Sequence, residues 1–407
     1  MISNDGSPGG NTQIRVRGIG SITASSSPLY VVDGVIMAAG SIAALNDNGD
    51  RSTNVMAALN PNDIENITVL KDAASTAIYG SRGANGVILI TTKSGRSGAP
   101  RISIKSQLGF NQVAASTLLE PLNAEQYTTY YLEGYTNRGE TLAEAQARFD
   151  NTFEQLIDPS TGNPTDTNWL EELTRTGVNQ SYDLSVSGGN EAARYYVSTN
   201  FFDQESHIIG TDFNRLASRA NVDVKVNNRI DISNKLLLSQ TDQNGMVDGS
   251  AWANPLYGAY LLSPLIPIKN EAGLFNDEHK NYFPMGGNNP VGALSGDDIR
   301  NTKQFRLNNS ISGQYRILDN LIVKSNWNID VIKVTESQYK NPRYGDGRNL
   351  GGYVQENEIT RQDWTGTQTL NYINSFSNVH NVEALLGYEA QQSEQKSFYG
   401  FGQNFPN

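Results

Sequence analysis

The sequence predicts a mainly β protein: an antiparallel transmembrane β-barrel wall, partial at about nine strands, preceded by a small α/β unit. Three observations predict it. From Arg101 onward, apolar and polar residues alternate with a period of two in one segment after another. The connections between those segments alternate strictly between short and long. Residues 1–97 lack this rhythm and hold instead a compact strand–helix–glycine turn–strand sequence at 61–93.

The first unit opens in a loop rich in Gly, Ser and Asn. Gln13 to Arg17 reads as a strand ending at Gly18-Ile19-Gly20. Leu29 to Val32 and Val35 to Met37 flank Asp33-Gly34, a type I′ hairpin dipeptide, because both central residues of that turn need positive φ. Residues 38–54 read as a loop. Within it, Asp47-Asn48-Gly49-Asp50 hints at a calcium loop, but the EF-hand spacing and terminal Glu are missing and an ordinary turn is expected. Asn60 can cap a helical turn beginning on Pro61, where a missing N–H costs nothing. Ile67 to Leu70 is a short apolar run suited to a buried strand. Asp72 to Tyr79 has helical spacing and stops at Gly80. Ser81 to Gly86 is a tight turn around Gly83 and Gly86, and Val87 to Thr92 is a β-branched strand. The whole reads as a βαβ-like element buried on both faces. Ser94 to Pro100 is the linker.

Beyond it, Ile102, Ile104, Leu108 and Phe110 mark the first two-faced strand. Residues 113–176 interrupt. Asn123-x-x-Gln126 and Thr141-x-x-Glu144 are capping-box patterns, so two short helices are expected there. Tyr182, Leu184 and Val186 mark the next strand, and Gly188 to Glu191 turn the chain. Tyr195, Val197, Thr199 and Phe201 alternate with Arg194, Tyr196, Ser198 and Asn200. Leu216, Ala220, Val222 and Val224 alternate with Arg219, Asn221, Asp223 and Lys225. Asn227-Asn228 turns into a strand through Ile230, Ile232, Leu236 and Leu238. After a long segment at 241–300, strands follow through Phe305 to Ile317, Leu321 to Val331, Trp364 to Tyr372, and Val382 toward Phe405. Residues 332–358 read as a loop.

Short connections at 188–191, 227–228, 319–320 and 374–381 alternate with longer ones at 113–176, 203–213, 241–300 and 332–358. A transmembrane barrel does this, with tight turns on one side and large loops on the other. A soluble β-sandwich explains the alternation but not the loop asymmetry. The faces carrying Arg, Lys, Asp and Asn suit a lumen, and those carrying Val, Leu, Ile, Tyr and Trp suit lipid.

Composition limits the function classes. No cysteine is present, which removes disulfides and thiolate metal sites. No apolar run approaches the ~18 residues of a spanning helix, though spanning strands escape that test. The net charge is -11 and is concentrated: residues 113–176 carry eleven acidic and three basic side chains, and residues 241–300 carry seven and three. Such surfaces disfavour nucleic acid. His207, His279 and His380 lie far apart in loops or turns, and no catalytic or metal constellation forms around them. Gly83-Ala84-Asn85-Gly86 precedes a strand rather than a helix, so it is not a phosphate loop. In 241–300, Trp252, Tyr257, Tyr260, Tyr282 and Phe283 could stack on sugar rings or meet a partner; the plainer alternative makes them the loop's own core.

Several blocks occur in one order: Tyr30-Val31-Val32-Asp33-Gly34, Leu59-Asn60-Pro61-Asn62-Asp63-Ile64, Val69-Leu70-Lys71-Asp72-Ala73-Ala74, and Ala77-Ile78-Tyr79-Gly80-Ser81-Arg82-Gly83-Ala84-Asn85-Gly86 running on to Lys93. This series closely resembles the signature region of the SusC/RagA family of TonB-dependent outer-membrane transporters. The resemblance implies that residues 1–97 are the C-terminal part of a plug domain and 98–407 the N-terminal part of its barrel. It marks Asp33, Gly34, Asn60, Pro61, Lys71, Asp72, Tyr79, Gly80, Arg82, Gly83, Asn85 and Gly86 as plug-signature residues. Arg15, Arg17 and Arg82 become candidates for polar contact with the barrel wall. Nine strands cannot enclose a plug, since plugged transporters have about 22. Met1 to Gly20 has no basic start and apolar core like a signal peptide. The chain therefore reads as an internal or truncated piece that would not insert or function alone. The implied activity is energised import of oligosaccharides, or of peptides, across the bacterial outer membrane, with no bond chemistry and no cofactor. A SusD-like lipoprotein and TonB with ExbB and ExbD are the implied partners. Calcium in the acidic loops has no supporting spacing. A siderophore or cobalamin receptor of the wider group, which the signature disfavours, and a non-transporting surface glycan-binding β-protein are the alternative classes.

Overall fold

The structure, a computed structural model, describes residues 2–3, 7–10, 12–16, 27–37, 55–114, 119–153, 156–246, 254–276, 289–343, 345–376 and 380–404. The Asp47–Asp50 segment, Arg17, Trp252, His279, Tyr282 and Phe283 lie outside these residues.

Two short strands, β1 (Ile2–Ser3) and β2 (Thr12–Gln13), pair near the start. The strand expected over Gln13 to Arg17 is therefore shifted and shorter; Ile14 and Val16 pack instead against a small apolar core. β3 (Leu29–Val32) and β4 (Val35–Met37) form the expected hairpin, with Asp33 at φ 52° and Gly34 at φ 86°. Asn60 caps a single 3₁₀ turn at Pro61–Asp63 by accepting from the Asn62 amide. β5 (Ile64–Leu70), α1 (Ala73–Thr76), a 3₁₀ stretch (Ala77–Gly83) and β6 (Val87–Thr92) complete the unit.

The four strands run in the order β4-β3-β6-β5. β3 is parallel to β6, but β5 is antiparallel to it, so the element is not the βαβ unit expected from the sequence. β5 is an edge strand, and the expected burial fails there: Ile67 is 53% exposed and Val69 40%. The helix expected over Asp72 to Tyr79 lasts one α-turn before it tightens, and Gly80 breaks it at φ 58°, ψ -145°.

The second sheet has nine strands: β7 (Gly98–Asn111), β8 (Gly177–Gly189), β9 (Ala193–Glu205), β10 (Asp212–Lys225), β11 (Ile230–Asn244), β12 (Ile299–Leu318), β13 (Leu321–Lys340), β14 (Tyr353–Phe376) and β15 (His380–Gln403). Each pairs antiparallel with its sequence neighbour. His380 opens β15 opposite Phe376 rather than lying in a turn. The expected loop over 332–358 is mostly strand, because β13 runs to Lys340 and β14 starts at Tyr353. Its polar pattern is misleading for a physical reason. Trp327 and Ile329 point outward near the turn, whereas farther along Ile332 and Val334 are buried on the inner face and Lys333 is half-exposed outside. The apolar face changes sides, and the alternation no longer reads as one strand.

At the long-loop end, two connections fold together. α2 (Ala124–Asn137) and α3 (Leu142–Thr152) carry both expected capping boxes, at Asn123/Gln126 and Thr141/Glu144. α4 (Trp169–Glu172) follows. The next long connection supplies α5 (Pro255–Leu261). Phe149, Phe153, Trp169 and Leu173 share one core with Ala259, Leu262, Leu265 and Ile266. The Trp169 indole donates to the Ser263 carbonyl at 3.0 Å, tying the two loops at a buried point.

Candidate functional site

Residues alternate across each strand of the wall, so every second side chain of β8 to β11 faces the small N-terminal sheet. On β10 those residues are Phe213, Arg215, Ala217, Arg219 and Asn221, all buried, while Leu216, Val222 and Val224 on the other face are exposed. On β9, Tyr196, Ser198 and Asn200 face inward, with Val197 and Phe201 outside.

The loops of the small sheet deliver their polar groups to this face. Asp33, held at the hairpin tip by positive φ, accepts from the Thr92 amide at 3.0 Å and the Thr92 hydroxyl at 2.7 Å. Its carboxylate lies 3.1 Å from Lys235 Nζ and 3.7 Å from Arg219 Nη1. Asp63, at the end of the Asn60-capped turn, accepts from the Tyr196 hydroxyl at 2.9 Å and the Ser198 hydroxyl at 2.6 Å. Arg219 Nε lies 3.6 Å from its other oxygen. Asn60 and Asn62 both donate to Asp183 of β8, at 3.0 and 2.9 Å, and Asn200 adds a third bond at 2.9 Å. Arg215 donates to the carbonyls of Ala57 and Leu59 at 3.0 and 3.1 Å, so it clasps backbone rather than a carboxylate. Asn221 donates to the Lys93 carbonyl at 2.7 Å, pinning the start of the linker. Gly95 then passes so close to β9 that a Cβ would sit 2.2 Å from the Tyr195 amide nitrogen. Only glycine fits that approach.

Arg219 is the centre of the network and its least satisfied member. Its side chain is 3% exposed and sits between two carboxylates, yet Nε and Nη2 make no hydrogen bond to any described residue. Nη1 donates one long bond, to the Thr92 hydroxyl at 3.4 Å, and a buried charge so thinly hydrogen-bonded keeps much of its desolvation cost. The apolar contribution is small: Val32, Met37, Leu59, Ile88 and Ile90 form one cluster that reaches the wall at Leu237.

The other signature residues separate into two groups. Arg82 reaches across to β15, donating to Gln391 at 2.7 Å and Glu389 at 3.2 Å. Gly80, Gly83 and Gly86 shape its turn, and Gly86 lies against Val16, with φ 93°. Asn85 bonds to the Ser27 carbonyl. Lys71 and Asp72 are exposed and Tyr79 is half-buried; Asp72 accepts from Ser75 and precedes α1 without capping it by its side chain. Arg15 is exposed. Tyr257 and Tyr260 stand 48% and 42% exposed on α5, outside the shared loop core. The sequence reading missed Arg215 and Lys235. It also left Asp63, Thr92 and Asn221 without a role. The signal available was phase for Arg215, Lys235 and Asn221, on the polar side of their strands, and a tight turn for Asp63; Thr92 shares its face of β6 with Ile88 and Ile90 and carried no such signal.

Residues 1–87 match the family model described as the TonB-dependent receptor plug domain. The chain is 28% identical to the TonB-dependent receptor P3 of Formosa agariphila over 99% of its own length. It is 27% identical to the TonB-dependent receptor SusC of Bacteroides thetaiotaomicron over 98% of its length. Among solved structures, the RagAB peptide importer in its closed-closed state superposes with a TM-score of 0.76 at 24% identity, covering 98% of this chain and 45% of that one. Residues 1–87 are thus a TonB-dependent receptor plug domain, and over nearly its whole length the chain is similar to receptors of the SusC and RagA kind. It spans about 36% of the Formosa relative and 38% of SusC. It is a mainly β outer-membrane protein, and the nine-stranded sheet is barrel wall. The apolar faces of β9 and β10 are turned to lipid and the charged network faces a lumen. The small sheet of this SusC/RagA-type receptor is its plug.

Proposed function

We propose that this receptor imports oligosaccharides or peptides across the outer membrane by displacement of the plug, driven by TonB with ExbB and ExbD. The observation that carries the reading is the ion-paired contact of Asp33 with Arg219 and Lys235 and of Asp63 with Arg219. A plug meant to stay would be seated on an apolar core. This one is seated on polar groups that water can satisfy equally well once the contact opens. The peptide class follows the name of RagAB, a peptide importer, and the oligosaccharide class follows the resemblance carried by the signature blocks of the sequence. A SusD-like lipoprotein is the proposed lid over the long-loop end, where Tyr257 and Tyr260 offer aromatic faces to a partner or a sugar ring. Siderophore import would call for a pocket specialised for a ferric chelate. Energised uptake by cells expressing the complete receptor tests the proposal. Labelled oligosaccharides or oligopeptides should accumulate and stop accumulating when a protonophore is added. Uptake indifferent to the protonophore, or confined to ferric chelates, would overturn it.

A further inference from the structure

The inner face of the wall can be followed to its outer mouth on β14 and β15. Gln391 and Glu389 meet Arg82 of the plug, so the odd-numbered residues of β15 face the lumen. Register pairs Gln355 with Phe401 and Asn357 with Tyr399, which puts all four on that face. They stand beyond the level of the Lys396–Glu394 pair, toward the long loops and away from the Phe376–His380 end. This stretch of wall is therefore lumenal and above the hydrocarbon.

Two arrays run side by side there. One is a row of near-parallel rings. Tyr353 and Phe401 have centres 6.4 Å apart and planes at 25°, and Phe401 and Tyr399 are 6.3 Å apart at 9°. Phe401 and Tyr399 are 59% and 64% exposed. A further strand pairs with the backbone edge of β15 and leaves its inner face to the lumen. The other array is a hydrogen-bond ladder. The Tyr353 hydroxyl donates to Gln355 Oε1 at 2.5 Å, the Gln355 amide to Asn357 Oδ1 at 3.3 Å, and the Asn357 amide to the Glu336 carboxylate at 3.4 Å. Asn357 and Glu336 are buried and anchor that end of the ladder. Gln355 is half-buried; it gives one bond and takes one, whereas a primary amide has two donor hydrogens and two acceptor lone pairs.

We propose that the rings of Tyr353, Phe401 and Tyr399, with the Gln355–Asn357 ladder, form a binding strip for a neutral pyranose oligosaccharide at the outer mouth of the lumen. The proposal rests on the import reading above and narrows its cargo. A pyranose has one face of C–H groups, which suits the negative face of an aromatic ring, and a rim of hydroxyls that both donate and accept. The strip offers these two chemistries along neighbouring strands, in the order a chain of sugar units requires. Gln395 and Ser397, the next inward residues of β15, are also neutral and also donate and accept. A peptide brings charged termini and flat amides, which call for charged partners or an open strand edge.

The test applies the purified complete receptor, in detergent, to an array of neutral oligosaccharides, with uncharged capped peptides as the competing class. Wild type should retain oligosaccharides. Tyr399→Ala and Phe401→Ala should each weaken that binding about tenfold. Tyr399→Phe should keep it, Gln355→Leu should weaken it with the rings still in place, and heat-modifiable mobility should show the wall intact in all four. Retention of peptides alone, retention of nothing, or oligosaccharide binding unchanged in both alanine variants overturns the proposal. Energised cells separate it from the reading beneath it. Ring-dependent binding without energised uptake would sink the import reading and leave the strip standing. Oligosaccharide uptake that both alanine variants sustain at the wild-type rate would sink the strip and leave import standing.

Discussion

Arg219 shows how one side chain can hold a contact and keep it breakable. It serves Asp33 and Asp63 together, from a position that is almost fully dehydrated. Replacing it by methionine fills the space but leaves two buried carboxylates with Lys235 as the remaining cation close to one of them. Removing one partner of a buried ionic group costs about 3–5 kcal/mol. The expected outcome for Arg219→Met is a plug that becomes trypsin-sensitive at much lower urea than wild type, with the wall unaffected. Restoring neutrality with Asp63→Asn in the same chain should recover part of the loss; no recovery would mean that the two groups do not interact. Gly34 offers a second residue-scale check. Its φ of 86° is a conformation that a β-branched residue adopts at a cost of about 1–3 kcal/mol. Gly34→Val should displace Asp33 and weaken the plug by that order in the same urea titration. The hairpin at Asp33-Gly34 and the cap at Asn60 were legible in the sequence, because each depends on a local rule about φ or an orphan N–H. That Asp33 and Asp63 share one arginine was not legible, since 186 and 156 positions separate them from it and only the packing of the small sheet against the wall brings them together.

At the scale of elements, local chemistry again predicts well where the element is self-contained. Both capping boxes form as their spacing predicts, and their hydrogen bonds account for the start of α2 and α3. In α3 the Glu144 carboxylate accepts from the Thr141 backbone and hydroxyl, which hold its pKa below the usual glutamate value. A depressed carboxylate contributes stability above its unfolded pKa and loses it as pH falls through the folded value. The protection factors of the amides at the N-terminus of α3, that is, exchange relative to an unstructured peptide at the same pH, should therefore be highest at neutral pH and fall below about pH 4.5, near the ordinary carboxylate value. Glu144→Gln keeps the hydrogen bonds and should flatten that dependence; an unchanged pH profile would place the effect elsewhere. β5 and the 332–358 region read poorly for the opposite reason. An edge strand exposes apolar residues that its sequence marks as core, and a strand that changes its apolar face midway looks like a loop. Both depend on neighbours that a linear pattern does not contain. On the outer face, Trp327 and Trp364 stack at 6.1 Å, and Gly366 leaves room for the first ring. A Cβ there would lie 2.6 Å from Trp327, so Gly366→Ala should shift the tryptophan emission and cost about 1–3 kcal/mol.

For the whole molecule, the wall is uneven. β8, β9 and β10 have 13, 13 and 14 residues, whereas β12 and β13 have 20 and β14 and β15 have 24. A tilted strand crosses the hydrocarbon in about 9–11 residues. The long strands therefore continue well past the bilayer, and the charged pairs Lys303–Asp242, Lys333–Glu358 and Lys396–Glu394 lie on that outer stretch. The short strands stop near the bilayer surface and are roofed by the helices of the shared loop core. Within the nine-stranded sheet, β7 and β15 are edges, each with one unpaired side, and both expose apolar residues such as Ile104 and Leu386. In hydrocarbon, unpaired strand groups cost several kcal/mol each, and in water such edges recruit other chains. A polypeptide of these 407 residues on its own should therefore neither insert nor stay monomeric: it should show no heat-dependent shift on gel electrophoresis and should sediment as aggregate without detergent. Joining the strands of a full-length relative after β15 should restore the shift. If residues 101–407 instead form a monodisperse, protease-resistant domain without detergent, the outward apolar faces are not lipid-facing and the wall is not part of a membrane barrel.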